Sequence, residues 1–124
     1  MKTLQQAATL ADSIRRTWAE PNLCVTFEAA DQPRRWLQYG DSRINACYPT
    51  ERHPGALVSM LGGALHEWDR GRYVTIDLSL DDAEHVAQWI QRYFQWVLEN
   101  ESDNALQVRI GRFTVPVVSA VAMG

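Results

Sequence analysis

The residues equipped for acid–base, metal or thiol chemistry are few and scattered. Three histidines occur: His53 precedes Pro54, His66 stands beside Glu67, and His85 follows Asp81 by four residues and Asp82 by three. A metal centre needs three or four converging ligands. On a helix, His66 and Glu67 would diverge by about 100°. Asp81 and His85 supply two ligands at most and read first as a helix-surface ion pair. Cys24 and Cys47 fall in stretches that alternate like strands, with no adjacent histidine or lysine to lower a thiol pKa, so both read as structural thiols. The chain holds no GxSxG, HExxH, GxxxxGK or GxGxxG motif. No catalytic residue, metal ligand or cofactor is assigned on this basis.

Residues suited to gripping another molecule are easier to find. Arg34-Arg35-Trp36, with Arg43 across a turn, forms a small basic and aromatic edge. It suits an acidic partner or a carboxylate; equally, its arginines could only blunt an exposed strand edge. A second group lies between residues 83 and 97. Ala83, Val86, Ile90, Phe94 and Val97 share one helical stripe. Trp89 and Trp96 fall about 60–100° further round, flanked by Arg92 and His85. That apolar arc is wider than one sheet face usually covers. Either the rest of the monomer buries both indoles, or Trp89, Arg92 and Trp96 meet a partner, since Trp and Arg are enriched at interface hot spots.

The elements that must position these residues follow from periodicity. Thr3 to Trp18 places Leu4, Ala7, Ala8, Ala11, Ile14 and Trp18 at helical spacing, and Pro21 prevents continuation. Leu23 to Ala29, Arg34 to Tyr39 and Arg43 to Tyr48 read as strands, joined by turns at Asp31-Gln32-Pro33 and Gly40-Asp41-Ser42. Connections this short favour an antiparallel meander. Ala56 to Trp68 fits a helix through Leu57, Met60, Leu61, Ala64, Leu65 and Trp68, although Gly62-Gly63 weakens it by roughly 1 kcal/mol per glycine. Arg72 to Leu78 alternates as a strand. Asp81 to Asn100 is the strongest helix, with acidic residues at its positive end. Leu106 to Phe113 reads as a strand, and Thr114 to Met123 as another with an edge or bend at Pro116. The expected fold is α+β, a mostly antiparallel sheet packed against helices, in the approximate order α-β-β-β-α-β-α-β-β.

Composition sets outer bounds. The 124 residues fit one domain spanning 1–124, and 46% apolar with 22% charged residues is ordinary for a chain with a core. Formal charge is −3, Lys2 is the single lysine, and the arginines are dispersed. Nucleic-acid binders usually carry a basic surplus, so nucleic acid is not expected. No stretch approaches the roughly 20 apolar residues that span a bilayer, and a secretory leader is not expected from the polar residues after Lys2. With two cysteines and no CxxC pair, a reducing cytoplasm is the expected location.

One family likeness emerges from these segments. The N-terminal amphipathic helix, the following strand and then Arg34-Arg35-Trp36-Leu37-Gln38-Tyr39 resemble the basic-aromatic, aliphatic, Gln, aromatic strand of YbjN-like proteins, which share a superfamily with type III secretion chaperones. Tyr73-Val74-Thr75-Ile76-Asp77, with Asp82 and Val86-Ala87, is similar to the later strand-to-helix step of that domain. The likeness covers about residues 4–98, and the stretch from Leu106 onward departs from it. It implies an α+β fold, often dimeric, that binds a segment of another protein without chemistry. The leading expectation is therefore a non-catalytic, chaperone-like or adaptor module with a protein partner, and with a homodimer as one form. Two alternatives stand beside it. One is an immunity or inhibitor protein that neutralises a toxin. The other is a small enzyme or ligand-binding protein with at least two of His66, His85 and Cys47 converging in a pocket.

Overall fold

The computed structural model of the protein describes residues 2–20, 22–99 and 106–112. The elements are helix α1 (Lys2–Ala19), strands β1 (Leu23–Ala29), β2 (Gln32–Gly40) and β3 (Arg43–Cys47), helix α2 (Gly55–Leu61), strands β4 (Ala64–Asp69) and β5 (Tyr73–Asp77), helix α3 (Ala83–Trp96) and strand β6 (Leu106–Arg112). The strands form one sheet ordered β4-β5-β3-β2-β1-β6, and every neighbouring pair is antiparallel. This is the α+β architecture expected from the sequence. The strand expected over Thr114 to Met123 lies outside the described residues.

Alternation decides which side of the sheet is dry. Val25 and Phe27 of β1, Leu37 and Tyr39 of β2, Ile44 and Ala46 of β3, and Val74 and Ile76 of β5 are all fully buried. They join one cluster with Leu10, Ala11 and Ile14 of α1 and with Val86, Ile90, Tyr93 and Phe94 of α3. Both helices carry apolar residues at three- and four-residue spacing, so a continuous stripe faces this cluster. Buried polar groups in α1 find partners locally: Ser13 Oγ donates to the Thr9 carbonyl at 2.9 Å, and Thr17 Oγ1 to the Ile14 carbonyl at 2.7 Å. The Asp82 carboxylate caps α3 by accepting from the Glu84 amide at 3.0 Å.

One element departs from expectation. The helix predicted over Ala56 to Trp68 stops at Leu61, and β4 follows. Gly62 and Gly63 sit at φ 97° and 101°, a region that side chains other than glycine's disfavour. At Gly63 an added Cβ would stand 2.7 Å from Ile76 Cγ2, so the backbone lies directly against β5. The sequence spacing misled for a specific reason. A bulge between Leu65 and Glu67 shifts the β4 register, so that Leu65 opposes Ile76 and Trp68 opposes Val74. The two residues directed at the covered side are thus three apart, which imitates a helix.

Candidate functional site

The helices cover one side of the sheet only. On the other side, in-register pairs build a single transverse row through all six strands: Glu67, Thr75, Asn45, Gln38, Thr26 and Arg109. Its middle is a line of hydroxyls and carboxamides, each carrying hydrogen-bond capacity. Thr75 Oγ1 donates to Asn45 Oδ1 at 3.1 Å. On one flank stand Tyr73, opposite Cys47, and Trp36, opposite Glu28. On the other flank Arg43 is opposed by Asp77 and by Gly40, which has no side chain to fill the space.

The result is an open groove of about 810 Å³, lined by residues of β1, β2, β3, β4 and β5 that include Trp36, Gln38, Asn45, Thr75, Tyr73, Glu67 and His66. Five strands make four intervals of roughly 4.8 Å, so the groove runs about 19 Å across the sheet. Asp41 lies at its mouth in the tight β2–β3 turn, where Asp41 and Ser42 both take positive φ, as a two-residue hairpin loop demands.

Charges on this face are largely committed. Arg43 Nε meets Asp77 Oδ1 at 2.8 Å, and His66 Nδ1 lies 3.6 Å from Asp77 Oδ2. Arg109 Nη2 meets Glu28 Oε1 at 2.8 Å. Glu67 accepts the Tyr73 hydroxyl. That bond first, then desolvation and the fields of Glu67 and Asp69, hold the Tyr73 pKa above its ordinary value, although Arg72 opposes the shift. The Cys47 thiol is pushed up by burial, which disfavours the nucleophilic thiolate.

The residues singled out for contact are dispersed. Trp36 and Arg43 both line the groove. Arg34 is exposed, while Arg35 Nη1 turns to the Glu99 carbonyl at 3.4 Å, so the expected basic edge does not assemble as one patch. On α3 the two indoles part company. Trp89 is 3% exposed, stacks on Tyr93 with 5.6 Å between ring centroids, and donates from Nε1 to the Gly62 carbonyl at 3.1 Å. It is therefore covered by the protein's own α2–β4 junction, which corrects its assignment to a partner. Trp96 is 52% exposed and Arg92 is exposed.

The pocket residues anticipated for an enzyme are likewise separated. His66 lines the groove, but His85 sits on α3 with Nδ1 3.6 Å from Asp82 Oδ2, and Cys47 is not among the lining residues. Among the described residues, no three His, Cys, Asp or Glu side chains gather as a metal site. No described helix is long and apolar enough to cross a membrane.

Sequence reasoning missed Gln38, Asn45, Thr75 and Tyr73 as a group. The signal was present: each is the polar member of an alternating strand. Their convergence depends on strand order, which no single strand encodes. Comparison with known proteins adds no assignment: no family model matches the chain, and neither a curated protein nor a solved structure does.

Proposed function

We propose that the protein is a non-catalytic protein-binding module, chaperone-like or adaptor in character, and that its uncovered sheet face receives an extended segment of a partner polypeptide. One observation carries this reading. The face that the helices leave bare is a 19 Å-class groove rather than a solvated lawn, with a row of carboxamide and hydroxyl groups between Trp36 and Arg43. Asn and Gln side chains present the same donor–acceptor pair as a peptide group, so they suit main-chain recognition without a fixed sequence. Trp36 supplies the broad apolar contact that interface anchors require. The likeness to YbjN-like proteins and type III secretion chaperones points the same way.

A homodimer is the second part of the reading, and α2 favours it. None of its residues is fully buried, and Met60 is 66% exposed beside the edge strand β4. A second copy meeting this corner would cover it. Arg92 and Trp96 form a separate exposed flank.

The test is capture of partners from the native host by the tagged full chain, with variants as controls. A partner retained by the parent and by Trp96→Ser, but lost by Trp36→Ala with an intact fold, supports the groove. Equal retention by Trp36→Ala and loss with Trp96→Ser would transfer the site to α3. Light scattering of Met60→Glu against the parent tests the dimer: a parent that is already monomeric refutes it.

A further inference from the structure

The charge arrangement around the groove specifies the chemistry of its occupant, on the reading that the groove binds a peptide. Arg34 is exposed but does not line the groove, while Arg43 is held by Asp77 and Arg109 by Glu28. Neither of the latter two is left over to receive a carboxylate. Two lining carboxylates have no such neutralisation. Glu67 has the uncharged Tyr73 hydroxyl as its partner, and Asp41 pairs with no cation among the described residues. Glu67 stands at the β4 end of the groove, and Asp41 at the β2–β3 turn. The field at Tyr73 agrees, because its hydroxyl is harder to ionise beside Glu67 and Asp69. The Tyr73 and Trp36 rings along one flank add a further preference, since a ring face attracts a guanidinium or ammonium group.

We infer that the groove selects a basic segment, five to six residues long in extended form, with an arginine or lysine seated at the Glu67–Tyr73 end and its main chain laid along Gln38, Asn45 and Thr75. The length follows from about 19 Å of groove at roughly 3.4 Å per extended residue. The sign is the reverse of what Arg34, Arg35 and Arg43 suggest in the linear sequence. Those arginines are directed to Glu99 and Asp77 or stand outside the groove.

The experiment uses three acetylated and amidated hexapeptides that differ in the charge and head group of their long side chain: alternating Arg-Ser, Gln-Ser and Glu-Ser. Each is titrated into the isotope-labelled full chain while amide resonances are followed by NMR. The expected result is saturable movement of the Thr75, Asn45 and Gln38 resonances with the Arg-Ser peptide, tighter than with Gln-Ser and absent with Glu-Ser. Glu67→Gln weakens the Arg-Ser peptide by about three-fold, the size of one exposed ion pair, and 0.5 M salt erases the difference. Asp41→Asn serves as a second variant should Glu67→Gln disturb the spectrum. Three peptides of equal affinity at these resonances overturn the charge preference but leave the groove as a peptide site. Movement confined to other residues, or no movement with any peptide, overturns both.

Discussion

The two faces of this one sheet differ in what their side chains accomplish. On the covered face, Phe27, Leu37, Ile44 and Ile76 touch the helices and are fully buried. On the bare face, Thr26, Gln38, Asn45 and Thr75 occupy the neighbouring positions of the same strands and stay half-buried. The first set holds the chain together, because apolar area removed from water supplies most of the folding free energy. The second set contributes little to stability, which leaves it available for recognition. A six-stranded antiparallel sheet with one dry and one wet side is therefore a division of labour between alternate residues of each strand.

Substitution can break or sharpen that division. The largest expected effect is on the covered face: Phe27→Ala lowers stability by about 3–5 kcal/mol in urea titration, through lost transfer energy and a cavity. Next comes the corner where the covered face meets α2. Gly63→Ala forces a Cβ at φ 101° toward Ile76 and costs about 1–3 kcal/mol. Trp89→Phe removes the donor to Gly62 and some ring volume, for roughly 1–2 kcal/mol, whereas Trp96→Phe changes stability by less than about 0.5 kcal/mol. On the bare face, Thr75→Ala stays within roughly 0.5 kcal/mol by the same measurement. A loss at Thr75 as large as that at Phe27 would abolish the distinction between the faces.

The smallest effect is pH-dependent and lies at the start of α3. The Glu84 amide and side chain, with a further lowering contribution from His85, hold the Asp82 carboxyl below its usual pKa. A lowered folded-state value means that Asp82 stabilises the fold above the ordinary aspartate range and loses this as pH falls through the folded value. Asp82→Ala should therefore melt lower than the parent at pH 7, with the gap narrowing below about pH 4. A gap that widens toward acid would contradict the cap.

Much of the architecture was legible because burial leaves a period. β1 is read from Leu23 to Ala29 with its observed limits, and the alternation read over Arg72 to Leu78 is the burial alternation of β5. The segment after α2 was not legible, because a bulge in β4 places Leu65 and Trp68 three apart and a local pattern cannot distinguish that from a helical turn. The same pattern hides which part of the chain covers Trp89. Its actual cover, the Gly62 carbonyl, exists only because the chain reverses there.

The amino-acid order by itself determined the local propensities: which positions alternate, which recur at helical spacing, where glycine permits a reversal, and which groups bear charge. Tertiary structure decided adjacency. The row from Glu67 to Arg109 draws on six strands far apart along the chain, and the pairing of Arg43 with Asp77 reverses the sign that a reader of residues 34–43 would assign to the site. Sequence patterns report whether a side chain faces water, a property of one strand. What stands beside it depends on strand order, a property of the whole sheet.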